Sequence, residues 1–291
     1  MPADGAALAL TPVALPRMAP DLALRAYQQL AAQQEMELSS YFSTTIIRAR
    51  LPDASQYGEY ELRQHYAAPR TLEFKAVHFI GDGFVKNNVI TRVLQSEANH
   101  VQKDDSSLTA ITIVNYKFSN KGASQVEGRA VHVYQLKPRR KRVGLFKGRI
   151  YLDAGTGSLV RAEGSMVKSP SFFIKQIDFV QDYENVGSFT LPAHIHSEAR
   201  TRMIGRAVVD IYHRNYQPVA NTAQAEQQIP AFLSSVTRRS IRPLVGKSHG
   251  YEPTTISHAH EQLHRGEPPV VGGAIGIPIN PRTHPKAGGR S

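Results

Sequence analysis

The C-terminal part of the sequence contains one pattern that is typical of zinc enzymes. His260, Glu261 and His264 match H-E-x-x-H, in which two histidines one helical turn apart bind zinc and the glutamate polarises the bound water. Pro268 and Pro269 follow closely and would end a helix there, and only a Pro/Gly-rich segment remains to supply a third ligand. We therefore predict no metal site, and we keep as the alternative function a zinc-dependent hydrolase or peptidase that uses this motif.

A second group of histidines lies in an alternating segment. His194, His196 and Glu198 share one face of a predicted strand, and His213 follows in a later segment. Histidines at i and i+2 can bind zinc. The same alternation places Leu191 and Ile195 on the opposite face, so we interpret the histidine row as a solvent-facing polar edge.

Residues 137–149 form a basic run that contains no acidic residue. Its centre is four consecutive cations: Arg139, Arg140, Lys141 and Arg142. Such a run suits an anionic membrane surface. Specific nucleic-acid recognition is not predicted, because no pattern of stacking aromatic residues accompanies the cations. The run is also typical of a solvated hairpin tip, and the sequence leaves both interpretations open.

Missing residue types and motifs exclude several classes of catalytic and metal-binding site. The chain has no cysteine, which excludes disulfides, thiolate metal sites and cysteine nucleophiles. It has no G-x-S-x-G motif and no phosphate-binding glycine loop. We therefore predict a non-enzymatic protein with no catalytic residue and no cofactor.

Composition also divides the chain. Its 291 residues carry 35 Lys and Arg against 24 Asp and Glu, a net charge of +11. We predict a flexible leader over 1–19, which is either the remnant of a trimmed export signal or a cytoplasmic leader, and a folded unit over 20–217. Residues 218–291 are rich in Pro, Gly and His and poor in aromatic residues, so we predict a largely disordered tail.

The folded unit is predicted to be mainly β. Residues 21–38 have the composition and spacing of a helix, and a second apolar stripe predicts a helix over 83–101 with Asp82 as its N-cap. The other segments alternate between apolar and polar residues, as half-buried antiparallel strands do. The sequence thus predicts an α+β fold: a large curved antiparallel sheet of about ten strands, with an N-terminal helix and one inserted covering helix.

One hairpin and one strand opening suggest a family. In 148–164 a strand ends at Asp153, turns through Thr156 and Gly157, and returns with Arg161. This stretch, with the F-x-L-P opening at Phe189, resembles the LolA/LolB-type periplasmic lipoprotein carriers. The resemblance implies a half-barrel whose apolar face is covered by helices and shelters acyl chains. It also implies a periplasmic or envelope location, with a lipid or an acylated protein as partner.

The predicted ligand-binding residues are the apolar faces of the strands together with the covering helix. These side chains either enclose an acyl ligand or simply pack against one another, and the sequence leaves both open. The predicted cavity residues are Tyr60, Leu62, Phe74, Val89, Val93, Val114, Tyr116, Phe118, Val160, Phe189, Leu191 and Ile195.

Overall fold

The computed structural model describes residues 17–103 and 106–221. One helix and three strands precede a helical insertion, and seven further strands follow. The α-helices are α1 (Pro20–Glu37), α2 (Gly83–Val85), α3 (Thr91–Gln102) and α4 (Ser106–Thr109), with a 3-10 turn at Pro52–Ala54 and a π-helical turn at Lys86–Ile90. The strands are β1 (Leu38–Leu51), β2 (Gln56–Ala67), β3 (Thr71–Gly81), β4 (Tyr116–Val126), β5 (Arg129–Pro138), β6 (Phe146–Asp153), β7 (Leu159–Met166), β8 (Ile174–Val186), β9 (Phe189–Thr201) and β10 (Arg206–Ala220).

All ten strands form one open antiparallel sheet. Their order is β3-β2-β1-β10-β9-β8-β7-β6-β5-β4, so β1 and β10, the first and last strands of the described residues, lie side by side within the sheet. Every other neighbouring pair is consecutive in sequence. The predicted fold class is confirmed: the sheet has ten strands, an N-terminal helix and one inserted covering helix. Within the described ranges, no helix has both the length and the apolar character needed to cross a membrane.

Helix α1 begins and ends where its sequence dictates. Pro20 lies in its first turn, where the missing amide hydrogen costs nothing. Ala23 and Tyr27 are buried, which fixes the face that contacts the sheet. The helix ends at Glu37, and the chain becomes extended at Leu38, which is the first residue of β1.

A single row of paired residues shows how one face of the sheet is built. Directly paired residues of antiparallel strands point to the same side of a sheet. One such row crosses eight strands through Tyr60, Ile47, Ile211, Ile195, Gln181, Ala162, Ile150 and Tyr134. We call the side that carries this row the inner face.

The insertion between β3 and β4 covers one half of the inner face. Helix α2, the π-helical turn and α3 run consecutively, and we call them together the covering helix. Val85, Val89 and Val93 pack against Ile47 and other strand residues of the inner face. Asp82 precedes the helix as predicted, but its carboxylate makes no cap: it accepts a hydrogen bond from the Tyr57 amide at 2.9 Å.

The predicted turn between β6 and β7 is present. The Asp153 carboxylate accepts hydrogen bonds from the amides of Gly155 (2.9 Å) and Thr156 (2.8 Å). Gly157 adopts φ of 77° and donates its amide hydrogen to the Asp153 carbonyl at 2.9 Å. A glycine suits this position because left-handed backbone geometry carries no side-chain penalty there.

Candidate functional site

Four of the predicted cavity residues face the covering helix. Leu62 and Ile195 are buried in a cluster with Val89 and Val93, two residues that were predicted to face them. Tyr60 and Phe74 pack against this cluster and are partly buried. This half of the inner face is filled by side chains from the sheet and from the helix.

Two further predicted residues belong to the half of the inner face under α1. Tyr116 is buried with Tyr27 of α1 in a second cluster, and Phe118 packs against it. Ala162 is 0 % exposed in the same cluster, so its surroundings are a packed core. Phe189 and Leu191 lie in a third cluster with Tyr41, against which Val101 of the covering helix packs.

The structure does not place Val114 and Val160 with the others. Val114 precedes β4, which begins at Tyr116, and is 76 % exposed. Val160 is buried in a separate cluster with Val126 and Val131. Val160 points away from the α1 cluster because the β6–β7 register shifts by one residue next to Leu152, which brings Leu159 into that cluster instead.

A cleft lies between α1 and the inner face, and we call it the α1 cleft. It has a volume of about 80 Å³. Small-molecule pockets are typically about 300–1,000 Å³, so the cleft as it stands holds only part of a lipid. Helix α1, the segment before β4 and three strand ends contribute its lining: Tyr27, Leu30, Ala31, Gln34, Ala110, Ile111, Thr112, Ser158, Leu159, Tyr183, Ser188, Thr190 and Pro192.

One polar group in the cleft lining lacks a protein partner. The hydroxyl of Tyr183 is buried and forms no hydrogen bond with any described residue. Burial raises the pKa of Tyr183 far above its usual value, with smaller contributions from Tyr27 and Tyr116. The hydroxyl therefore stays protonated and is a free hydrogen-bond donor in a lining that contains both aliphatic and polar side chains.

Few direct bonds hold α1 over the cleft. The Tyr27 hydroxyl donates to the Ile111 carbonyl at 3.1 Å. The Tyr134 hydroxyl donates to the Pro20 carbonyl at 2.5 Å, and Gln34 bonds to the backbone of Thr190. These contacts lie at the start, the middle and the C-terminal half of the helix, so each segment of α1 has its own attachment.

A buried polar patch lies between the two halves of the inner face. Thr45 donates to the Gln64 side-chain oxygen at 2.6 Å, and Gln64 donates to the Tyr41 hydroxyl at 2.9 Å. His213 Nδ1 lies 3.1 Å from the Thr45 hydroxyl oxygen. Because the Thr45 proton already goes to Gln64, His213 donates here and does not act as a base toward Thr45. Burial lowers the pKa of His213 to about 4, so it is neutral near pH 7.

Sequence reasoning missed Glu97, which lies above this patch. Glu97 is partly buried on α3, and burial raises its pKa to about 7. It also contributes to the raised pKa values of Tyr41 and Tyr216. The available signal was spacing: Glu97 lies four residues after Val93 and four before Val101, which places a carboxyl within the apolar stripe.

The histidine row lies on the other side of the sheet, as predicted. His196 Nδ1 is 2.8 Å and His194 Nε2 is 3.3 Å from one oxygen of Asp210. His213 is buried on the inner face and does not join them. Within residues 17–103 and 106–221, no group of three or more His, Asp or Glu side chains could hold a metal ion. The motif at His260 and His264 lies outside the described residues.

The predicted basic run spans the loop between β5 and β6. Arg139, Arg140 and Lys141 are exposed, and Arg142 is partly exposed. Arg139 Nε donates to the carbonyls of Ile113 at 2.9 Å and Tyr116 at 3.3 Å. This arginine therefore has a structural role that the run of charges alone does not reveal.

No family model matches the sequence, and no curated protein matches it. Solved structures do match. A putative outer membrane lipoprotein-sorting protein domain from Vibrio parahaemolyticus matches with a TM-score of 0.37 and 12 % identity, over 75 % of this chain and 99 % of that chain. A LolA superfamily protein from Nitrosomonas europaea matches with a TM-score of 0.34 and 11 % identity, over 69 % and 93 %.

A DUF1329 family protein from Desulfovibrio piger matches with a TM-score of 0.34 and 11 % identity, over 72 % of this chain and 98 % of that chain. The family suggested by the sequence is thus among these structural neighbours. All three TM-scores lie below 0.5, so the likeness assigns neither a ligand nor an activity to this chain.

Proposed function

We propose that the protein is a non-enzymatic lipid-binding protein that holds the acyl part of a lipid or of an acylated protein between α1 and the inner face. The observation that carries the proposal is the α1 cleft, where the aliphatic side chains of Leu30, Ile111 and Leu159 share the lining with the unpaired hydroxyl of Tyr183. A ligand that combines an alkyl chain with a carbonyl oxygen complements both features, because the hydroxyl would donate to that oxygen.

Binding of a full acyl chain requires α1 to move away from the sheet. The cleft of about 80 Å³ is too small for such a chain while the helix is closed. Displacement of α1 would break the bonds to Ile111 and Thr190 and open the cluster around Tyr27. The ligand would then replace the helix contacts with its own apolar surface, at about 25 cal/mol per Å² of buried area.

The other half of the inner face does not need to open. The covering helix packs closely against Leu62 and Ile195, and these side chains serve as a core in the proposed mechanism. The proposal thus confines the ligand to a smaller part of the sheet than the sequence predicted. A periplasmic or envelope location accompanies it as a further prediction, which cell fractionation tests.

Native mass spectrometry of the full chain tests the proposal. The chain is measured after gentle purification and again after incubation with palmitate or with a palmitoylated peptide. We expect a 1:1 complex with at least one of the two, and no complex with the unacylated peptide. Absence of any acyl complex, or equal binding of the unacylated peptide, would contradict the proposal.

A further inference from the structure

One corner of the sheet, at the β5–β6 loop, is rich in basic residues. Residues 107–126 and 128–152 contain no Asp or Glu. Arg149 pairs with Glu163, whereas Arg140 and Lys141 are exposed and pair with no residue of the described ranges. The basic residues around this loop are Lys117, Lys137, Arg139, Arg140, Lys141, Arg142, Lys147 and Arg149.

Exposed aliphatic side chains lie in the same corner. In the segment from α4 to β4, Leu108 is 42 %, Ile113 is 56 % and Val114 is 76 % exposed. Single exposed apolar residues are common on protein surfaces. Here the two most exposed residues, Ile113 and Val114, are consecutive, and they form the tip of the turn that leads into β4.

Hydrogen bonds join this tip to the basic loop. Arg139 Nε donates to the Ile113 carbonyl at 2.9 Å, and the Arg139 amide donates to the Asn115 carbonyl at 2.8 Å. The two loops therefore present a single surface, which we call the docking surface: Leu108, Ile113, Val114, Arg140 and Lys141.

We propose that the docking surface binds an anionic phospholipid bilayer, with Ile113 and Val114 inserted below the headgroups and Arg140 and Lys141 among the phosphates. Aliphatic side chains beside cations complement a membrane interface, which offers hydrocarbon beneath negative charge. A single-stranded nucleic acid would instead require exposed rings for base stacking, and Ile113 and Val114 offer none.

The docking surface is continuous with the α1 cleft. Ala110, Ile111 and Thr112 line the cleft, and the next residue is Ile113. Insertion of Ile113 therefore brings one wall of the cleft to the membrane, where acyl chains are available. This last step rests on the proposed function, but membrane binding does not, because vesicle binding and ligand uptake are measured separately.

A single introduced tryptophan tests the insertion. The chain contains no tryptophan, so Ile113→Trp reports only from the tip of the loop. The matched control is Val77→Trp on β3, at the opposite edge of the sheet, where Val77 is 51 % exposed. With phosphatidylglycerol vesicles, we expect the emission of the Ile113 variant to shift to the blue and to be quenched by brominated acyl chains. Emission that is unchanged, or shifted equally in both variants, would overturn the proposal.

Charge removal tests the electrostatic part. Arg140→Gln with Lys141→Gln should weaken binding to phosphatidylglycerol vesicles on the order of 30-fold, since each basic side chain near the surface contributes roughly fivefold. Lys75→Gln with Lys175→Gln, two exposed cations elsewhere on the sheet, should change it by less than about threefold. Equal losses in both pairs would overturn the proposal. Tighter binding of the wild type to polyuridylate or to a polyglutamate peptide than to the vesicles would do so too.

Discussion

The side chain of Gln34 forms two hydrogen bonds with the backbone of Thr190 and so holds the C-terminal half of α1 to the start of β9. Its amide nitrogen donates to the Thr190 carbonyl at 3.1 Å, and its oxygen accepts from the Thr190 amide at 2.7 Å. Both residues line the α1 cleft. The pair is therefore one of the attachments that must break if α1 moves away from the sheet.

Gln34→Ala should loosen α1 without unfolding the sheet. We expect a loss of about 1–3 kcal/mol in the free energy of unfolding, since two hydrogen bonds are removed, and faster amide hydrogen exchange in residues 27–37. Gln33→Ala is the control, because Gln33 is exposed and its side chain bonds to Glu37 on the same helix rather than to the sheet. Equal exchange rates in the two variants would show that Gln34 does not restrain the helix.

Enlargement of Ala162 should destabilise the protein. Ala162 is fully buried and pairs with Ile150 on one side and Gln181 on the other. Ala162→Phe should cost about 1–3 kcal/mol through overpacking, as measured by urea unfolding. A variant as stable as the wild type would show instead that the centre of the inner face contains open space, as one interpretation of the sequence predicted.

Glu97 and His213 should change the free energy of unfolding in opposite directions as the pH changes. The pKa of Glu97 is raised to about 7 in the folded protein, so its contribution to stability is lost as pH rises from its unfolded value of 4.5. The pKa of His213 is lowered to about 4 from 6.5, so its contribution is lost as pH falls through that window. Between about pH 5 and pH 6 the two slopes should largely cancel in the wild type.

Single substitutions should separate the pH dependence of stability that Glu97 contributes from the one that His213 contributes. Glu97→Gln should give stability that rises between about pH 4 and pH 6.5, and His213→Asn should give stability that falls between about pH 4.5 and pH 7, each by up to about 3 kcal/mol. Asn keeps a donor for the Thr45 hydroxyl, which limits other damage. Urea unfolding at several pH values measures both, and parallel pH profiles for the two variants would contradict the assignment.

The end of the folded unit should lie after Asn221 and not at residue 217. Strand β10 continues to Ala220, which pairs with Leu38, and the Asn221 amide donates to the Glu37 carbonyl at 2.8 Å. A chain that ends at 221 should keep the thermal midpoint of the full chain, as the composition of the remainder predicts. A chain that ends at 217 should melt at a lower temperature. If both chains melt at the same temperature, the pairing of residues 218–220 with β1 adds nothing to stability.

Alternation predicted the strands well because one side of the sheet is covered by helices. Leu62, Phe74 and Ile195 each belong to a segment in which apolar and polar residues alternate, and all three lie under the covering helix. The same rule failed at Val160, because a register shift inverts the alternation there and turn chemistry in the sequence does not reveal it. It failed at Val114 because an exposed loop can carry aliphatic residues that resemble the start of a strand.

The α1 cleft could not be predicted from the sequence. Its lining comes from α1, from the segment before β4 and from three strand ends, which are distant along the chain. Its polar features depend on pairings such as Gln34 with Thr190, separated by 156 positions. Periodicity assigns residues to a face, but it does not show which part of that face remains open between two covering elements.

Acyl binding by a matched pair of tryptophan variants shows whether the α1 cleft holds the ligand. Ala31 lines the α1 cleft, whereas Ala32 is exposed on the same helix. Palmitate binding is measured by isothermal titration calorimetry on the full chain, and folding is checked by thermal unfolding. We predict that Ala31→Trp fills the cleft and lowers palmitate affinity at least tenfold, while Ala32→Trp binds as the wild type does. Equal palmitate affinity in the two folded variants would contradict the α1 cleft as the ligand site.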